Sequence, residues 1–298
     1  MRNNSPAPRS PIPYFDLDGS GQALHFLHAN GYPPACYRPL FELLQADYHV
    51  FGMLLRPLWK GSNPNEIQTW KPFSEDLLQF LGSTAPEPVI GIGHSIGAVV
   101  TLRAALRDPS RFRALVLIDP VLFVPQFMLK WMFVRMLGLG ERLHPLIPGA
   151  KKRRRHFDDL ERVFQRYRTR NVFRNMSAEN LRIFIEGITQ PNAGGGYDLV
   201  YSPEWEAQIY RTNMHDLDIW RELPGLEVPT LFIRGAETDT FLEDAARLVK
   251  RKQPKVRVET LEKSTHILPL ERPKEVFEIM QSFLNGLESD SLLSEIKE

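Results

Sequence analysis

The sequence predicts an α/β protein, with a mostly parallel sheet covered by helices on both faces and a helical segment inserted between two strands. Three observations point to it. Short apolar runs alternate with longer helical patterns along the 298 residues. Most of those runs are continuously apolar, the pattern of strands buried on both sides. The alternation also stops between about 123 and 225 and then resumes, as one sheet with an insertion requires.

The elements follow in order. The polar, proline-rich "MRNNSPAPRSPIP" (1–13) has no apolar stretch of the secretory type and reads as a loose extension. "YFDLDGSGQALHF" (14–26) reads as a hairpin turning at Asp18-Gly19, which adds an antiparallel edge. Strands are expected at 23–29, 49–55, 88–95, 114–120, 230–236 and 256–262. Helices are expected at 74–82, 96–109 and 242–252. The core domain is thus drawn as 14–122 with 226–287, the inserted helical part as 123–225, and a frayed polar tail as 288–298.

Within the insertion, "VLFVPQFMLKWMFVRMLGLG" (121–140) is apolar, but Pro125, Lys130 and Arg135 interrupt it. A charge near the centre of a membrane span costs about 2.5–3.5 kcal/mol, so the stretch reads as one or two apolar helices and not as a span. The basic run "KKRRR" (151–155) reads as a solvated loop or helix end, or else as an attraction to an anionic surface or acidic substrate. The glycines of "NAGGGYDLVYSPEW" (192–205) suggest a flexible hinge loop.

Composition narrows the function. Hydrophobic residues at 43% and charged residues at 24% are ordinary for a globular chain. A net charge of +1 argues against a nucleic-acid binder. The single cysteine, Cys36, excludes an internal disulfide and a cysteine-built metal site, and fits a reducing, cytoplasmic compartment.

The chemistry centres on "VIGIGHSIGAVV" (89–100). A serine hydroxyl attacks only when a base takes its proton and the backbone holds it clear. A sharp strand-to-helix turn does the second, and glycines two residues before and after the serine let that turn pass close to its neighbours. Gly93 and Gly97 flank Ser95 in this way. The bland alternative is that Ser95 is only a small residue accepted by a tight turn.

This turn, the sheet and the helical insertion resemble the α/β-hydrolase family over about residues 14–285. The resemblance implies an acid after a late strand, a histidine after the last strand and an oxyanion loop after an early one. For the acid it implies Asp239 in "RGAETDTF", in a Gly-x-x-x-Asp setting counted from Gly235. The plain alternative for Asp239 is a helix N-cap. A second candidate acid is Asp119 in "LVLIDP", also at a strand end, where some family members place it. For the base the resemblance implies His266, in a His-x-x-x-x-Glu-x-Pro pattern with Glu271 and Pro273. For the oxyanion hole it implies the backbone N–H groups of Ile96 and Tyr32. Relatives often carry His-Gly-x-Pro in that loop, and this chain has Asn30-Gly31-Tyr32-Pro33 with His28 nearby. Where many relatives carry Asp-x-Arg-Gly-x-Gly, this chain reads "RPLWKGS" (56–62), without the acid.

The resemblance also implies a cap that shapes the pocket, for which Phe123, Phe127, Met128 and Trp131 are the candidate lining residues. The expected activity is hydrolysis of a small or medium apolar ester through an acyl-enzyme on Ser95, with no metal or organic cofactor and no nucleic-acid partner. The same machinery serves thioesterases, lactonases, amidases, perhydrolases and carbon–carbon bond hydrolases. Relatives that open epoxides or remove halide use a carboxylate where Ser95 stands. A non-catalytic binding protein on this fold is the rival of another class, and an intact set of triad candidates speaks against it. The sequence leaves the oligomeric state open.

Overall fold

The computed structural model describes residues 11–295. Ten strands occur among them: β1 (Tyr14–Asp16), β2 (Gln22–Leu27), β3 (Tyr48–Met53), β4 (Val89–His94), β5 (Phe112–Ile118), β6 (His156–Phe157), β7 (Thr189–Pro191), β8 (Tyr197–Leu199), β9 (Thr230–Gly235) and β10 (Arg257–Leu261). The helices before the insertion are α1 (Arg38–Leu44), α2 (Lys71–Thr84) and α3 (Ile96–Arg107). Those between β5 and β9 are α4 (Pro125–Met136), α5 (Gly140–Leu143), α6 (Ile147–Lys151), α7 (Leu160–Arg168), α8 (Ala178–Ile188), α9 (Pro203–Arg211) and α10 (Leu217–Glu222). Then come α11 (Glu243–Lys252), α12 (Leu268–Glu271) and α13 (Pro273–Glu295).

Seven strands form the main sheet in the order β1-β3-β2-β4-β5-β9-β10. Every pair is parallel except β1 with β3. The continuous apolar runs have a direct cause. In β5, Leu115 and Leu117 pack into one core while Val116 and Ile118 pack into the other. Alternating side chains point to opposite faces, so a strand covered on both sides must be apolar throughout. Helices α2, α3 and α11 cover the first face, and α1, α8 and α13 the second.

Four expectations change. The segment 14–26 is not a hairpin: β1 pairs antiparallel with β3, whereas β2 pairs parallel with β3 and β4. Asp18 (φ 58°) and Gly19 (φ 125°) do turn the chain, but the turn carries it across β3 rather than back on itself. The insertion is not helical throughout, since β6, β8 and β7 form a small antiparallel sheet. The glycines at 194–196 make the turn between β7 and β8, with Gly195 at φ 99° and Gly196 at φ 70°, and not a hinge loop. The expected frayed tail begins as a continuation of α13 to Glu295. Residues 1–10 of the expected N-terminal extension and 296–298 of the tail lie outside the described residues. Among those described, no helix is long and apolar enough to cross a membrane.

Candidate active site

The position of Ser95 is built by close backbone approach. β4 ends at His94, α3 begins at Ile96, and Ser95 between them is held at φ 59°, ψ −119°. A non-glycine residue at positive φ is strained and persists only where its surroundings fix it. Here a Cβ on Gly93 would lie 2.4 Å from the Gly97 carbonyl, and one on Gly97 would lie 2.1 Å from the Leu27 oxygen. Neither position has room for a side chain, so the two glycines let α3 start directly over the ends of β2 and β4. The Ser95 N–H donates to the Ile118 carbonyl at 3.0 Å, which ties the turn to β5.

His266 stands in the loop between β10 and α12, with its Nε2 2.9 Å from Ser95 Oγ. Its other nitrogen, Nδ1, is 2.8 Å from Asp119 Oδ2. The structure therefore corrects the choice of acid: Asp119, after β5, meets His266, and Asp239 does not. The reason lies in side-chain direction. Thr238 and Thr240 both turn inward, and their hydroxyls donate to Asp119 Oδ2 at 2.5 Å and 2.7 Å. Asp239 between them faces solvent. It does not cap α11 either, because that helix starts after Leu242.

Asp119 is fully buried, with φ 41°. Its Oδ1 accepts from the Gly235 N–H at 2.9 Å. Its carboxylate thus receives four donors, from Gly235, Thr238, Thr240 and His266, which meets the cost of burying a charge. The Thr240 hydroxyl also lies 2.8 Å from His266 Nδ1. It donates to the carboxylate, so towards the ring it accepts. A Cβ on Gly235 would lie 2.5 Å from the Thr265 oxygen, and this contact sets the loop that carries His266 against the end of β9.

Glu271 in the anticipated pattern has a positional role. It accepts from the Thr265 N–H at 2.7 Å and the Thr265 hydroxyl at 2.8 Å, holding the residue before His266. Burial raises the Glu271 pKa above the usual carboxylate value.

His94 and Tyr37 form a link that sequence reasoning missed. His94 is fully buried, and its Nε2 lies 2.8 Å from the His266 carbonyl. A carbonyl only accepts, so Nε2 carries the proton. His94 Nδ1 is then an acceptor for the Tyr37 hydroxyl at 2.8 Å, and that oxygen accepts from the Ala29 N–H at 3.1 Å. Burial holds the His94 pKa well below the usual imidazole value, so the ring stays neutral and the chain of donors keeps one direction.

The two oxyanion candidates differ. The Ile96 amide, at the start of α3, makes no backbone hydrogen bond among the described residues. The Tyr32 amide donates to the Ala29 carbonyl at 3.3 Å across a turn with Gly31 at φ 76°. Asn30, in place of the common His, donates from Nδ2 to the Glu206 carbonyl at 3.2 Å. The buried His28 ring donates from Nδ1 to the Ala29 carbonyl at 2.9 Å and accepts at Nε2 from the Leu55 N–H at 3.1 Å. Arg56, in the segment that lacks the usual acid, makes a two-pronged ion pair with Asp76 of α2 at 2.5 and 2.8 Å.

The candidate pocket residues scatter. Met128 is buried in the core and Phe127 is exposed, while the Phe123 ring packs on Phe127 with centroids 5.0 Å apart. Trp131 lines a cavity of about 150 Å³ with Arg135, His144 and Tyr210, which includes none of Ser95, Asp119 or His266. The His94 ring lies 5.2 Å from that of His266, the Tyr32 ring 6.4 Å from that of His94, and Tyr32 in turn packs on Phe184 at 5.3 Å, centroid to centroid. Among the described residues, no group of three or more His, Cys, Asp or Glu side chains could hold a metal ion.

The chain belongs to the alpha/beta hydrolase family, whose model matches residues 26–279. A solved structure of E-2-(acetamidomethylene)succinate hydrolase superposes with a TM-score of 0.75 at 21% identity, covering 92% of this chain and 95% of that one. Proline iminopeptidase of Heyndrickxia coagulans is 22% identical over 281 residues, 92% of this chain and 94% of that protein. A type I acyl-CoA thioesterase of Penicillium brevicompactum is 27% identical over 140 residues, and the match spans 41% of this chain and only 30% of that protein.

Proposed function

We propose that the chain is a serine hydrolase that cleaves a carboxylic ester of a small or medium apolar acid through an acyl-enzyme on Ser95. The observation that carries this reading is the continuous contact Ser95–His266–Asp119, at 2.9 and 2.8 Å. His266 Nε2 takes the hydroxyl proton as Ser95 Oγ attacks the carbonyl carbon. Asp119 holds Nδ1–H, fixes the tautomer and stabilises the imidazolium. His266 then returns the proton to the leaving alcohol, and water, deprotonated by the same nitrogen, releases the acid.

The Ile96 amide donates to the developing oxyanion. The Tyr32 amide joins it by exchanging its long bond to Ala29 for one to a charged oxygen, which is the stronger acceptor. The segment 123–225 acts as a cap. Ser95 is only 5% exposed, so the substrate reacts in a site largely closed to water. The Tyr32 ring, 6.4 Å from that of His94 beside Ser95, suits an apolar acyl group.

A panel of p-nitrophenyl acyl esters, thioesters, lactones and amides, with Ser95→Ala as the blank, tests the assignment. Turnover is expected to be highest on short and medium esters and lost in the variant. A fluorophosphonate probe is expected to label Ser95 alone. Turnover retained by the variant would remove the nucleophile assignment, and no labelling would favour a binding protein. Thioesters turned over faster than matched esters would move the substrate class.

A further inference from the structure

We propose that the outer face of α4, together with the short helices that follow it, docks on the surface of an anionic phospholipid bilayer. Helix α4 has two apolar stripes where one would suffice. The inner stripe, Met128 and Trp131, packs on the core below. The outer stripe is Leu129, Met132, Phe133 and Met136, at helical spacing i, i+3, i+4, i+7, and all four are exposed. Phe133 is 60% exposed and Met136 82%. The apolar surface continues over Leu143 and Leu146. Nine of the twelve exposed large hydrophobic side chains among the described residues fall between 127 and 146, so this is a patch and not scattered exposure.

Charge selects the occupant. Residues 121–157 hold eight Lys or Arg and a single acid, Glu141. Glu141 is engaged by Lys151 and Arg211. Lys130, Arg142 and Lys152 are exposed and take part in no ion pair among the described residues. An apolar face rimmed by unpaired cations complements an anionic lipid surface, where binding scales with buried apolar area and with attraction to the headgroups. A second copy of the chain would bring the same unpaired cations against each other. The helix lies in the interface with its outer stripe among the acyl chains, and Lys130 reaches back to the headgroups along its own methylene stem. The basic run at 151–155 then gains a role at the rim through Lys152.

Flotation of the full chain with vesicles tests this, comparing phosphatidylcholine alone with phosphatidylcholine mixed with phosphatidylglycerol. The chain is expected to float with the mixed vesicles, weakly with the neutral ones, and less at high salt. Phe133→Ser with Met136→Ser is expected to lower partitioning more than about tenfold. Lys130→Gln and Arg142→Gln are each expected to lower it about fivefold. All four substitutions lie at exposed positions and are expected to leave the melting temperature unchanged. Absence of flotation with mixed vesicles overturns the proposal, as does flotation that the serine variant leaves intact. A dimer in analytical ultracentrifugation that the serine variant dissociates, without flotation, assigns the face to a second copy and also overturns it.

Discussion

Asp119 and His266 stand 147 positions apart in sequence and meet at 2.8 Å, with two threonine hydroxyls, from Thr238 and Thr240, closing around the same carboxylate oxygen. Asp119 thus follows the strand next to the one that leads into Ser95, because β4 and β5 are paired. Asp119→Asn is expected to lower kcat by about four orders of magnitude, since the amide presents the wrong partner to Nδ1. Asp239→Asn is expected to leave kcat within a few-fold of wild type. Steady-state kinetics on a p-nitrophenyl ester checks both, and the reverse ranking would return the acid to Asp239.

Tyr37→Phe removes a hydroxyl that joins the Ala29 amide to His94, and through His94 to the His266 carbonyl. The expected result is a kcat about tenfold lower with KM unchanged, and a stability loss of about 1–3 kcal/mol from the unpaired buried groups. The rate is read well below both melting temperatures. A lowered melting temperature with an unaltered kcat would leave the hydroxyl a purely structural part.

Gly97→Ala drives a methyl group into the Leu27 and His28 carbonyls, at 2.1 and 2.8 Å. Backbone atoms on both sides of that contact belong to the sheet and the helix start, so neither side yields cheaply. The variant is expected to lose about 1–3 kcal/mol or more in urea unfolding and to lose ester turnover with it.

Acid should unfold the protein early. His25, His28 and His94 are fully buried, and burial lowers the pKa of each below 6.5, to about 3 for His25 and about 4 for His28. Above 6.5 neither the folded nor the unfolded chain is protonated at these sites, and stability is complete. As pH falls below that value the unfolded chain takes up protons first. Each histidine then costs about 1.4 kcal/mol per pH unit until its folded pKa is reached. Scanning calorimetry from neutral to mildly acidic pH should show a steep fall in melting temperature. A flat profile would contradict the buried neutral rings.

Much of this was legible in the sequence. Most main-sheet strands were visible because they are apolar runs bounded by turn residues, and Ser95 and His266 were visible because strand ends mark them. The acid was not, since Asp119 and Asp239 both follow strands. The choice between them depends on which way the side chains of residues 238–240 turn, and composition does not record that. The small sheet of the insertion escaped because β6 has two residues and β7 and β8 three each, too short to show any period. The link through Tyr37 was hidden because Tyr37 lies far in sequence from His94 and His266 and reads as an ordinary core residue.

The placement of Asp119 also bears on how such sequences can diverge. Ser95 and Asp119 are rooted at the ends of two neighbouring strands, and the end of β9 with the loop after it contributes to Asp119 one backbone amide and two hydroxyl groups. A serine could replace either threonine there, and the exposed aspartate between them makes no hydrogen bond to His266. Drift in that loop would therefore erase or create a Gly-x-x-x-Asp spacing without touching catalysis. In sister sequences, an acid assigned from that spacing alone would follow an exposed loop residue rather than the carboxylate that meets the histidine.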